Sequence, residues 1–196
     1  MEKLETRTVA SLFYVYDISV SQIAWCVQSC YTRVSCCPLS MLVIQNRSFH
    51  NLQVGDEIPS LTTQPISRLT LALFAGASGD HNPIHVDLDF AREAGMDDVF
   101  AHGMLSMAYL GRLLTSAVPP QALRRFQVRF IAITHLRDRL TCTGTVMEKF
   151  EDNGEKLVRL RLEAANQDGE IKVKGEALVA VEDRAIGSPG HREIGA

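Results

Sequence analysis

Asp80 and His85 stand five residues apart in the stretch Ser78-Gly79-Asp80-His81-Asn82-Pro83-Ile84-His85. A paired carboxylate and imidazole can hold a water molecule and move its proton. In a helix, positions i and i+5 lie about 140° apart around the axis, so the two side chains could not converge. Pro83 removes the helix, because its ring clashes with the carbonyl four residues back and pushes Asn82 toward an extended backbone. Gly79 and Asn82 tolerate the backbone angles of a tight loop. The spacing therefore predicts a rigid loop from which Asp80 and His85 point at one spot. The competing reading is structural, with Asp80 capping the loop and His85 satisfied within the fold.

Other residues nearby could do different chemistry. His81, His85, Asp87, Asp89 and His102 are close in sequence, and His81 and His85 have the i, i+4 spacing of helical zinc ligands. Pro83 lies between them and breaks that helix, so no metal site is expected. Gly103 precedes an apolar run and stands where a helix start would leave backbone N–H groups unpaired at the positive end of the dipole. Such an N–H can stabilise a developing oxyanion, and glycine admits a substrate closely. A plain helix-entry glycine is the alternative. His102 either contacts substrate or braces the turn, and both readings stay open.

These residues need elements to position them. Ser67 predicts a helix cap, with Leu69, Leu71, Ala72, Phe74 and Ala75 as the apolar side of a helix running into the loop. A short helix over Asp89–Ala94 follows, ended by Gly95. From Gly103 the run Met104-Leu105-Ser106-Met107-Ala108-Tyr109-Leu110-Gly111-Arg112-Leu113-Leu114 is apolar nearly all round, which signals a helix surrounded by protein, ended by Pro119 and Pro120. The remainder alternates with a period of two in four segments, with Asn153-Gly154 and Asp168-Gly169 as hairpin turns. A short strand near Ile58–Thr63 makes about five strands. The expected fold class is α+β, an antiparallel sheet wrapped around one buried helix, the arrangement called a hot dog.

Composition bounds the function classes. The chain has 196 residues, is 46% hydrophobic and 22% charged, and carries a net charge of -3 with scattered basic residues. That is one globular domain with appendages, without the basic footprint of a nucleic-acid binder. Cys26, Cys30, Cys36 and Cys37 crowd the N-terminal region, with spacings that match no usual zinc pattern, so free thiols in a reducing, cytoplasmic compartment are expected. Residues 1–40 read as a non-conforming extension, disordered or arising from an early start codon; an added helix or strand, or targeting, is the alternative. Their apolar stretch, interrupted by Asp17, Gln22 and Gln28, makes a poor membrane span. Residues 41–182 form the domain and 183–196 a disordered tail.

The motifs Ala77-Ser78-Gly79-Asp80-His81-Asn82-Pro83-Ile84-His85, Phe90-Ala91 and Ala101-His102-Gly103-Met104 resemble those of the MaoC-like family of hot-dog proteins. Val54-Gly55-Asp56 and Val128-Arg129-Phe130 add to the resemblance, which spans about Val54 to Val181. The family comprises (R)-specific enoyl-thioester hydratases and 3-hydroxyacyl-thioester dehydratases. The resemblance implies that Asp80 and His85 are the catalytic pair, that Asn82 orders the loop, and that Gly103 is the oxyanion donor. It implies addition of water to trans-2-enoyl thioesters of coenzyme A or acyl carrier protein, with no metal or organic cofactor. A homodimer is expected, because one sheet on one helix leaves an open edge; a heterodimer is the variant. A non-catalytic acyl-thioester-binding or partner subunit and a hot-dog thioesterase are the rival readings. Two departures stand out. A serine that some members carry near Gly111 is missing, and Thr134-His135-Leu136-Arg137-Asp138 replaces a Pro- and Gly-bearing turn.

Overall fold

Ser67 begins the element that leads into the loop. In the computed structural model, which describes the backbone of Val15–Asp17, Ile44 and residues 49–181, helix α1 runs Arg68–Ser78. Ser67 and Thr70 form a reciprocal capping box, the Ser67 hydroxyl accepting from the Thr70 N–H at 3.1 Å. Leu71, Phe74 and Ala75 are buried, whereas Leu69 and Ala72 of the expected apolar side are exposed. At 100° per residue Leu69 falls opposite Leu71, together with the exposed Leu73. The helix ends at Gly79, whose φ of 74° lies in the left-handed region that glycine enters without a Cβ penalty; its N–H donates to the Ala75 carbonyl.

After the loop, α2 covers Leu88–Glu93 and is capped by Asp87, whose carboxylate accepts from the N–H groups of Asp89 and Phe90. The start thus falls just ahead of the expected Asp89. Helix α3, Gly103–Ala117, is buried on most sides, with Leu105, Met107, Leu110, Leu113 and Leu114 against the sheet. It ends ahead of Pro119, as a helix must before residues that lack the N–H to continue it.

The sheet is antiparallel. Its strands are β1 (Val15–Asp17), β2 (Glu57–Thr62), β3 (Leu123–Phe130), β4 (Thr141–Asp152), β5 (Glu155–Ala165) and β6 (Ile171–Ala180), in the order β1-β3-β6-β5-β4-β2. Phe126, Val128, Cys142, Val146, Leu160, Leu162, Ala164, Val173, Ala177 and Val179 are all buried, the inward set of the two-residue alternation. Asn153 and Gly154 both take positive φ, 51° and 80°, the pattern of a two-residue hairpin loop that matches strand twist. Five strands and the enclosed α3 make the expected hot dog. The sixth strand comes from the stretch read as an extension: Val15–Asp17 pair with Gln127–Arg129. The rest of that stretch and residues 183–196 lie outside the described residues.

Between β3 and β4, a strap of residues 131–138 crosses the mouth of the sheet, and its His135 forms an isolated antiparallel bridge with Phe100. The Ala101 N–H donates to the Thr134 carbonyl at 2.9 Å. Through these bonds the strap ties the segment that enters α3 to the sheet.

Candidate active site

The loop after α1 is built from its own polar side chains. The Ser78 hydroxyl accepts from the Asp80 N–H, the Asp80 carboxylate accepts from the Asn82 N–H at 3.3 Å, and the Asn82 carbonyl oxygen accepts from the Ile84 N–H at 3.1 Å. Pro83–His85 close a 3-10 turn that Pro83 favours through its preset φ. Asp80 is exposed and His85 is 9% exposed. The turn brings His85 under the start of α3, where its ring stacks on that of His102 with centroids 3.8 Å apart.

Carbonyl oxygens only accept, so the bonding assigns the protons of both imidazoles. Nδ1 of His85 donates to the Phe100 carbonyl at 2.9 Å, which leaves Nε2 with its lone pair in the neutral ring. Nε2 of His102 donates to the Asp80 carbonyl at 3.1 Å. Its Nδ1 is buried without a partner among the described residues. Burial, then the neighbouring His85, holds the His102 pKa below the ordinary imidazole range, while the Asp80 carbonyl and carboxylate partly offset this. His102 is therefore held neutral, and its Nε2–H ties the loop backbone to the α3 start.

A carboxylate oxygen of Asp80 and ring nitrogens of His85 and His102 lie within 4.8 Å of one another. One water with two bonds of about 2.8 Å spans roughly 4.5 Å between its acceptors. The same three residues are the ones a metal would use. The two imidazoles, however, overlap with planes tilted by 30°, so they do not meet edge-on at one point as zinc ligands do. Of the other candidates, His81 and Asp89 are exposed and outside this cluster, and Asp87 caps α2.

Gly103 opens α3 and lines a cleft of about 290 Å³ together with Phe100, Ser106, Phe130, Ile133 and Thr134. A Cβ at position 103 would lie 3.2 Å from the Phe130 ring, so the glycine permits this close approach. Asn82, expected to order the loop, does so through Ile84. Other contributors left little signal in sequence. The Phe100 carbonyl is backbone, and Phe130 reads as a strand residue within the Val128-Arg129-Phe130 run. Ser106 and Thr134 share a buried 3.0 Å hydroxyl bond across the cleft; a lone serine three residues after Gly103 in an apolar helix was the available clue. Among the described residues no helix is long and apolar enough to cross a membrane.

A buried helix inside an antiparallel wrap, entered beside an Asp–His loop, defines a hot-dog protomer with a hydratase-type site. The family model described as "MaoC like domain" matches residues 51–167, and the chain belongs to that family. It is 35% identical to an (R)-specific enoyl-CoA hydratase of Rhodospirillum rubrum, over 69% of this chain and 92% of that protein. Among solved structures it resembles the unliganded R-hydratase PhaJ1 of Pseudomonas aeruginosa, with TM-score 0.60, 30% identity and coverage of 76% and 96% of the two chains. It also resembles the (R)-hydratase of A. caviae involved in PHA biosynthesis, with TM-score 0.60, 27% identity and coverage of 67% and 98%.

Proposed function

We propose that this protein is a hydro-lyase that reversibly adds water to trans-2-enoyl thioesters and yields (R)-3-hydroxyacyl thioesters. The observation that carries the reading is the Asp80–His85 pair within 4.8 Å, with His85 Nε2 left as an acceptor by the Nδ1 bond to Phe100. A water bridging the two acceptors gives up one proton to the pair as its oxygen bonds carbon 3 of the enoyl group. Negative charge moves to the thioester oxygen, where the Gly103 N–H at the α3 start stabilises it. The pair then returns a proton to carbon 2 and is regenerated, so the step needs no cofactor. Asn82 holds the loop in shape, and His102 holds it against α3. The acyl group occupies the cleft beside Gly103, its thioester borne by coenzyme A or an acyl carrier protein.

The reading includes a homodimer. Leu69 and Leu73 on α1 and Val86 and Phe90 near α2 are exposed at 67%, 65%, 48% and 43%, flanking the loop. A second copy covering this face would remove apolar surface from water beside the site.

Hydration of crotonyl-coenzyme A, followed by loss of conjugated-enoyl absorbance, tests the function. Asp80→Asn and His85→Ala should each lower the rate by roughly a hundredfold or more, the usual contribution of positioned acid–base groups. An unchanged rate in either variant overturns the pairing. Release of free thiol would instead identify a thioesterase, and tight thioester binding without turnover a binding subunit.

A further inference from the structure

Lys172 is a charged side chain that the chemistry above does not use, yet it is 1% exposed. Its Nζ donates to the Ile133 carbonyl at 2.8 Å and to a Glu170 carboxylate oxygen at 2.5 Å, and lies 3.5 Å from Asp138 Oδ2. Asp138 is also buried. Its carboxylate accepts from the His135 N–H at 2.9 Å and from the side-chain amides of Asn166 and Gln167. Burial alone would raise its pKa; the His135 N–H, the Lys172 charge and the two amides outweigh burial and lower it. A buried ion pair is a poor source of stability, because desolvating both charges costs about as much as their attraction returns. What the pair does hold is position, since Lys172 reaches the Ile133 carbonyl and Asp138 the His135 N–H.

What it arranges is the strap. Within residues 134–138, Arg137 has φ of 70°, a strained conformation for a residue with a side chain, and one kept only where the surroundings impose it. The Lys172–Asp138 pair grips the strap ahead of that residue, at the Ile133 carbonyl and at the His135 N–H, while Asp138 itself follows it. The backbone contributes too, as the Arg137 N–H donates to Ile66 at 2.8 Å. From the strap the linkage runs through the His135–Phe100 bridge and the Ala101–Thr134 hydrogen bond to the Phe100 carbonyl. That carbonyl holds the His85 Nδ1 proton.

We propose that Lys172 and Asp138 are positioning residues for the hydratase reaction: a buried ion pair that clamps the 131–138 strap and thereby sets the tautomer and aim of His85. The inference rests on the assignment of His85 to the reacting pair. It explains why this chain tolerates Arg137 in a left-handed turn where glycine would be unstrained.

The test is Lys172→Met in the full chain, a near-isosteric change that removes the cation facing Asp138 and Glu170, with His85→Ala alongside. For crotonyl-coenzyme A, kcat should fall on the order of tenfold to a hundredfold, as slight misplacement of a reacting group does, and by more than KM rises. Nitrogen-15 NMR of the imidazoles should show His85 losing its single Nδ1–H tautomer. Unchanged kcat and tautomer in a folded Lys172→Met protein would overturn the proposal. So would a change in KM alone, which would make the strap a wall of the cleft and nothing more. If Lys172→Met does not fold, Asp138→Asn, which keeps one acceptor oxygen and removes a charge, is read by the same outcomes. Full activity in His85→Ala would instead remove the functional reading on which the clamp depends.

Discussion

His102 shows how a single buried side chain can join the loop to α3. It sits at 1% exposure between the loop and α3, with Nε2 donating to the Asp80 carbonyl. Burial, and next the His85 ring, lowers its pKa below the usual value of 6.5. The unfolded chain therefore binds a proton near that pH which the folded protein refuses. Stability is fully present above about pH 6.5 and declines as pH falls from there toward the folded-state value. His102→Gln should remove this part of the slope. Urea midpoints measured near pH 7.5 and near pH 5.5 should accordingly differ less in the variant than in the parent; equal differences would show that His102 titrates freely. Cys142 behaves similarly as a buried group, its thiol pushed up to about 12 by burial, which disqualifies it as a thiolate nucleophile at neutral pH.

Among the elements, α1 aims the loop. Its direction is set at one end by the Ser67–Thr70 capping box and at the other by Gly79. Replacing Ser67 with alanine strands the Thr70 N–H and should cost about 1 kcal/mol of stability, as losses of N-cap side chains do. Thermal unfolding followed by circular dichroism would show this as a Tm lower by roughly 2–4 °C for a domain of this size. An unchanged Tm would mean that packing of Leu71, Phe74 and Ala75 alone sets the helix start. α3 plays the complementary part. Its apolar faces let the sheet close around it, and its N-terminus is left pointing at the cleft through Gly103.

For the molecule as a whole, the question is what covers its remaining apolar surface. The outer edge of β3 is already paired with Val15–Asp17 over residues 127–129. The face carrying Leu69, Leu73, Val86 and Phe90 has no such cover among the described residues. If a second copy sits there, Leu73→Glu places two like charges into the interface without disturbing the protomer, because Leu73 is 65% exposed in it. Light scattering should give a dimer mass for the parent and a monomer mass for the variant at equal folded content. A dimer that survives Leu73→Glu would move the interface elsewhere, with the sheet edge at β2 next in line.

Local signals were enough for much of this architecture. Pro83 excludes a helix across the loop, Ser67 and Gly79 are residues that cap one, and the alternation of β3 to β6 follows from a two-residue side-chain period. The proximity of Asp80 and His85 was legible because they stand five residues apart across Pro83, and the place of Gly103 because it heads an apolar helix. Which side of α1 is buried was not legible: leucines occur on both sides, and only packing against the rest of the fold decides that Leu71 goes in while Leu69 stays out. The same holds for the Phe100 carbonyl that selects the His85 tautomer, the His102 ring behind it and Lys172 beneath the strap. Each depends on groups brought together from separate elements, 15 residues apart for His85 and Phe100 and 39 for Lys172 and Ile133. Residue order alone determined the Asp80–His85 loop and the elements that flank it; only the tertiary structure decided which protons the imidazoles carry and where they aim, because hydrogen bonds between distant segments exist only once the chain has closed on itself.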